Sequence, residues 1–76
     1  MSKARETEVQ LKAVEKAIDY MIHHIDETIT LTDLSVIAAY SPFHFTRIFK
    51  QHTGVSPLAY LSALRIQQAK ELLERT

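Results

Sequence analysis

The sequence has no cysteine, no tryptophan and only one glycine among its 76 residues. Without cysteine, the chain cannot form a disulfide framework or a cysteine-based zinc site. Its apolar runs are only a few residues long, too short for a signal peptide or a membrane span. We therefore expect residues 1–76 to form a single small domain in the cytoplasm, with no membrane association.

The chain also has no net charge, because nine basic residues balance nine acidic ones. That balance is weak evidence against a nucleic-acid partner, but the charges are unevenly distributed. Residues 1–40 carry four basic and seven acidic side chains, whereas residues 41–70 carry four basic and no acidic ones. A polyanion responds to the surface that it meets rather than to the net charge. The second stretch is therefore the one that favours DNA.

Hydrophobic residues recur at three- and four-residue spacing almost throughout, and no stretch alternates as a strand would. A first helix is predicted over about residues 6–26, preceded by a frayed polar segment. Its predicted apolar stripe consists of Val14, Ile18, Met21, Ile22 and Ile25.

Three further helices are predicted because each begins with residues that cap a helix N-terminus. The capping pairs are Thr30 with Asp33, Ser41 with Pro42, and Ser56 with Pro57. Gly54 follows the third helix, where a left-handed residue commonly ends a helix. The fourth helix is predicted to run from Pro57 towards Arg75. The sequence thus predicts an all-α fold, a four-helix bundle of the homeodomain-like, helix-turn-helix type.

The third helix, residues 42–52, has two distinct faces when its residues are placed at about 100° intervals. The face predicted to pack on the core carries Phe45, Ile48 and Phe49. The opposite face carries Phe43, Thr46, Arg47 and Lys50. Arginine can pair with guanine, threonine offers a hydroxyl and a methyl group, lysine meets phosphate, and phenylalanine can press on a thymine methyl group.

A simpler interpretation of that opposite face is a solvated surface with one exposed aromatic side chain, which is common in proteins. The element before it favours the functional interpretation. A short capped helix and a turn of about three residues precede the third helix, which is the layout of a helix-turn-helix unit. The sequence therefore predicts that the third helix is a DNA-recognition helix.

An ordered series of motifs occupies residues 31–70, and the last of them continues to position 73. They include YSPFHF at 40–45, RIFK at 47–50, TGVSP at 53–57 and RIQQAKELL at 65–73, together with Leu34, Ala38, Tyr60 and Leu61. This stretch resembles the AraC/XylS transcription regulators, in the first helix-turn-helix and the linker helix of their DNA-binding domain. The resemblance covers more than half of the chain and implies sequence-specific binding of double-stranded DNA for transcription regulation in bacteria.

The resemblance also implies roles for individual residues. Base-edge contacts would fall on Phe43, Thr46 and Arg47. Contacts with phosphates or the groove wall would fall on Pro42, His44 and Lys50, and Pro42, which has no N–H, can make only steric contacts. Domains of this family hold two helix-turn-helix units, and this sequence ends with the linker helix. We therefore expect the N-terminal half of such a domain, without the second unit or a ligand-sensing domain, as a truncated fragment or, alternatively, as a natural half-domain.

Metal binding and catalysis are not expected. His23 and His24 are adjacent and point about 100° apart, and His44 and His52 lie on different sides of the third helix, with His52 expected to be partly buried. Glu71 and Glu74 lie on an exposed helix end, and there is no glycine-rich phosphate loop. We expect no metal, no cofactor and no enzymatic activity.

Arg65 lies among apolar neighbours on the fourth helix. We interpret it as an anchor for that helix and expect it to form an ion pair with Asp33 or Glu27.

An alternative function is a helical protein-interaction domain that associates through the apolar face of the last helix. Uncovered apolar surface tends to find a partner. The residues expected to mediate such self-association are Leu61, Leu64, Leu72 and Leu73.

Overall fold

The computed structural model describes residues 2–74, which form four helices joined by short turns. The helices are α1 (Ser2–His23), α2 (Leu31–Ala38), α3 (Pro42–Thr53) and α4 (Pro57–Glu74). The described residues contain no strand, so the prediction of an all-α helix-turn-helix bundle is confirmed. The predicted end of the last helix at Arg75 lies outside the described residues.

The bounds predicted for the first helix were wrong at both ends. The helix begins earlier because the lysine, alanine and arginine at positions 3–5 are strong helix formers, so the polar segment continues the helix. It ends at His23, after which the chain makes a turn in which the Glu27 N–H donates to the His24 carbonyl at 2.9 Å.

The capping interactions predicted from the sequence are present. Thr30 and Asp33 form a reciprocal capping box, in which each side chain accepts from the backbone N–H of the other residue at 3.0–3.1 Å. The Ser41 hydroxyl accepts from the His44 N–H at 3.2 Å, and Ser56 caps α4 in the same way. These bonds satisfy backbone donors that a helix start otherwise leaves unpaired. The chain therefore turns where the sequence predicts.

Two residues in left-handed backbone conformations end α2 and α3. Gly54 has φ of 84°, as the sequence predicts for a glycine after a helix. Ala39 has φ of 64°, and its N–H donates to the Val36 carbonyl at 3.1 Å. This conformation is unfavourable for alanine. It closes α2 abruptly, so that only residues 39–41 separate the two helices.

The core lies where α1, α2 and α3 meet, and the start of α4 covers it. The Phe45 and Phe49 rings are fully buried, and Phe49 also contacts the Tyr60 ring edge-on at a centroid distance of 5.4 Å. The core face predicted for the third helix is therefore confirmed. The other buried apolar residues include Val14, Ala17, Met21, Leu34, Ala38 and Leu61. Ile22, predicted to belong to the apolar stripe of the first helix, is 53% exposed, because it lies at the open edge between α1 and α4.

The second half of α4 extends beyond the bundle. The molecule measures 51 × 22 × 17 Å, and the buried residues of α4 are confined to its first two turns, at Pro57 and Leu61. None of the described helices is long and apolar enough to cross a membrane.

Arg65 joins α4 to the loop after α1, but not by the predicted ion pair with Asp33 or Glu27. Its Nε donates to the Ile25 carbonyl at 3.2 Å, and its Nη2 donates to the Glu27 carbonyl at 2.7 Å. The guanidinium binds backbone oxygens because the carbonyls beyond a helix end lack intrahelical partners and the planar fork of donors reaches two of them. Arg65 is therefore an anchor, as expected, with different partners.

Candidate nucleic-acid interface

One face of α3 is largely exposed to solvent. Phe43 is 74% exposed, Arg47 and Lys50 are exposed, and Thr46 is half-buried. We call these four residues the reading face. The burial on the opposite side of α3 agrees with the two faces predicted from the helical angles. An exposed phenylalanine at the start of a well-packed helix is not explained by packing within the chain.

The two basic residues of the reading face lack acidic partners. Among the described residues, the pairs of basic and acidic side chains within ion-pair distance are His23 with Asp19 and His24 with Glu27, at the far end of α1. Arg47 and Lys50 take part in neither, and no acidic residue occurs between positions 41 and 70. Both cations are therefore available to an anionic ligand, which would not have to displace a carboxylate first.

Thr46 is more restricted than the sequence suggests. Its hydroxyl donates to the Pro42 carbonyl at 2.8 Å, one helical turn earlier. Because a hydroxyl has one hydrogen, Thr46 in this rotamer can only accept from a ligand. It therefore suits the exocyclic amino group of adenine or cytosine, and it cannot donate to phosphate without breaking the bond to Pro42.

The N-terminal end of α3 is held in a defined orientation. The His44 ring packs edge-on against Tyr40 in the preceding turn, with a centroid distance of 5.1 Å. The His44 backbone N–H is already bonded to the Ser41 cap, so only its ring remains for an external contact. Pro42 and His44, to which the family resemblance assigns contacts with the groove wall, are both exposed next to the reading face.

The histidines are not arranged as a metal site. His24 stacks on Tyr20 at a centroid distance of 4.1 Å, and its Nδ1 lies 2.7 Å from a Glu27 carboxylate oxygen. His52 is half-buried and its Nε2 lies 3.3 Å from Oε1 of Gln10 on α1, so it joins α3 to α1. Across residues 2–74, no group of three potential ligand side chains could hold a metal ion.

The apolar face of the last helix differs from the prediction. Leu61 is 3% exposed and packs in the core, so it is not available to a partner, and Leu64 is half-buried. Leu72 and Leu73 are 59% and 74% exposed on the extended part of α4, and Ile66, which the prediction omitted, is 62% exposed. The prediction for Leu61 was wrong because the position at which α4 packs against α3 decides which of its leucines are buried. Helical spacing within α4 does not specify that position.

A protein-family model matches the region of the chain that contains α3. The family model of bacterial regulatory helix-turn-helix proteins, AraC family, matches residues 21–62, from the end of α1 to the start of α4. No solved structure matches the chain.

Several curated proteins are similar to the chain. The HTH-type transcriptional regulator YbfI of Bacillus subtilis is 37% identical over 62 residues, which cover 82% of this chain and 22% of YbfI. The HTH-type transcriptional activator Btr of the same organism is 38% identical over 84% of this chain and 12% of Btr. The bifunctional transcriptional activator/DNA repair enzyme AdaA, also of B. subtilis, is 32% identical over 83% of this chain and 30% of AdaA. The chain thus spans less than a third of the length of each of these relatives.

Proposed function

Because the chain belongs to the AraC family of bacterial regulatory helix-turn-helix proteins, we propose that it binds double-stranded DNA sequence-specifically and so regulates transcription. The observation that carries the proposal is the reading face of α3, an exposed aromatic and two unpaired cations on a helix that follows a tight turn. An α-helix with its side chains is about 10–12 Å across, which matches the width of the major groove. Binding to chromosomal DNA would place the protein in the bacterial cytoplasm.

The base-contacting roles follow from side-chain chemistry. Arg47 would donate two parallel hydrogen bonds to a guanine, and Phe43 would contact a thymine methyl group or a sugar. Thr46 would accept a hydrogen bond from an adenine or cytosine amino group, because its hydroxyl already donates its hydrogen to the Pro42 carbonyl. Each role requires its side chain to reach a base edge when α3 lies in the groove.

The remaining contacts would orient the helix on the duplex. Lys50 would pair with a phosphate, while Pro42 and the His44 ring would lie against the groove wall. Such contacts fix the position of a protein on DNA without reading its sequence. We propose that the chain is the first unit and linker helix of a two-unit domain. Alone it would bind in the range of non-specific complexes, with Kd of about 10⁻⁴–10⁻⁶ M.

Lys50→Ala tests the phosphate contact. We expect the variant to bind all duplexes more weakly by about the same factor, and the slope of log K against log salt to become shallower by about one. The measurement is fluorescence anisotropy with a labelled duplex over a series of salt concentrations.

Lys70→Ala is the matched control, because Lys70 is an exposed lysine on the extended part of α4. It should leave both affinity and slope unchanged. An equal effect of the two substitutions would contradict the placement of DNA on α3, and absence of duplex binding by the unmodified chain would contradict the proposed function itself.

Association between copies of the chain is a second candidate, favoured by the exposure of Ile66, Leu72 and Leu73. We propose that the extended part of α4 contributes this contact, since exposed apolar patches commonly mark interaction surfaces. Sedimentation equilibrium should then show a dimer at high micromolar concentration, and Ile66→Ser with Leu72→Ser should shift it towards the monomer. A monomer throughout that concentration range would exclude the contact.

A further inference from the structure

A groove of about 590 Å³ runs between α1 and the C-terminal end of α2. Its floor is apolar and is formed mainly by Val9, Ala13, Ile37 and Tyr40. Lys12 and Lys16, one helical turn apart on α1, line the same groove, and no acidic side chain of the described residues does. The four residues of the reading face do not line it either. The groove thus shares no residue with those proposed to contact DNA, although Tyr40 in its lining packs against His44.

The two lysines of this groove are unpaired cations. Within residues 2–74, neither Lys12 nor Lys16 forms an ion pair with an acidic side chain. The nearest acidic residues on α1 are Glu8 and Glu15, about 40–60° round the helix from Lys12, and Asp19, about 60° round it from Lys16, all on the side away from Ala13. If a partner molecule lay in the groove, its carboxylates could therefore pair with Lys12 and Lys16, while its apolar groups contacted the floor.

We propose that this groove binds an acidic amphipathic helix of a partner protein. The apolar face of that helix would pack against Val9, Ile37 and Tyr40, and its carboxylates would pair with Lys12 and Lys16. Helices commonly dock in this way, with apolar anchors in a groove and charges at the edge. The α1 residues that line the groove span positions 9–16, a rise of about 10 Å, so about two turns of a partner helix would lie along it.

The apolar floor decides between an acidic protein segment and the phosphate backbone of a nucleic acid. Val9 is 57% exposed and lines this floor together with the half-buried Ile37. Phosphates and sugars would leave this side chain and the Ile37 side chain without an apolar partner. A helix with leucines on one face would cover both.

The test uses the whole chain and a labelled synthetic peptide of fourteen residues that is helical, with leucines on one face and glutamates beside them. A second peptide has glutamine at each glutamate position. At low salt, we expect the glutamate peptide to bind about tenfold more tightly than the glutamine peptide, which corresponds to two partly exposed ion pairs. The double variant Lys12→Gln with Lys16→Gln should abolish this difference, and Lys70→Gln should preserve it.

The substituted lysines are exposed, and far-UV circular dichroism of each variant verifies that the helices are retained. Equal binding of the two peptides, no binding of either, or an equal loss in the Lys70→Gln chain would overturn the proposal.

Two further outcomes would assign the groove to a different occupant. If a DNA duplex displaced the peptide from the Arg47→Ala variant, the groove would be a nucleic-acid site instead. Loss of self-association in the double lysine variant would assign it to a second copy. Peptide binding should not change with Arg47→Ala, so this test is independent of the DNA-binding proposal.

Discussion

Phe49→Ala should destabilise the chain by about 3–5 kcal/mol, the range observed when a fully buried phenylalanine is truncated. Phe49 is completely buried and its ring contacts both Phe45 within α3 and Tyr60 on α4. Truncation therefore leaves a cavity at the point where three rings meet. Domains of this size have a free energy of unfolding of about 4–11 kcal/mol, so the variant should lose a large fraction of its stability and should be largely unfolded if the chain lies at the lower end of that range. Urea denaturation followed by circular dichroism measures the loss.

Phe43→Ala is the matched control for this substitution, since it removes the same side chain from the same helix. Phe43 is 74% exposed, so its removal should change the free energy of unfolding by no more than about 0.5 kcal/mol. The same variant should bind DNA more weakly, because Phe43 belongs to the reading face. Similar losses of stability at the two positions would contradict the assignment of buried and exposed faces.

Arg47→Ala should cost about 1–3 kcal/mol on a preferred duplex, or roughly a factor of 5 to 150 in Kd, and should relax the base preference at one position. The physical reason is the loss of a two-bond contact with a base edge by a guanidinium that no acidic side chain within residues 2–74 neutralises. A preferred duplex is first selected from a random pool with the unmodified chain. Affinities are then measured for that duplex and for single-base variants of it.

Arg47→Lys separates charge from geometry at the same position. Lysine keeps the positive charge but cannot make the paired, planar contact of a guanidinium. This variant should retain the salt dependence of the unmodified chain and lose much of its base preference. If Arg47→Ala bound every duplex as the unmodified chain does, α3 would not be the recognition helix.

The features that the sequence predicts well are those produced by residues close together in the chain. Thr30 with Asp33, Ser41 and Gly54 act on their own turn of backbone, so their positions specify where helices begin and end. The two faces of α3 follow from helical spacing alone. The reading face and the buried face were therefore separable before any tertiary contact was considered, although contact of the reading face with DNA stays a prediction.

The features that the sequence did not predict depend on how α4 is placed. The burial of Leu61 and the two carbonyls bound by Arg65 require knowledge of the angle at which α4 crosses the bundle. The backbone of the loop after His23 must also be known, because it presents those oxygens. The hydroxyl bond of Thr46 is a different case. It joins residues four apart in one helix, a pairing common for threonine, so spacing alone was enough to anticipate it.

Because Arg65 attaches α4 to the loop after α1, a small change of angle at this attachment becomes a larger displacement at the end of the helix. Glu74 lies nine residues beyond Arg65, a distance of about 13 Å along the helix axis. A tilt of only about 10° at the Arg65 attachment would carry the tip of α4 sideways by about 2 Å, which is enough to break a hydrogen bond that needs a separation near 2.9 Å. The two hydrogen bonds from Arg65 to backbone oxygens therefore determine where the tip of α4 lies relative to the loop after α1.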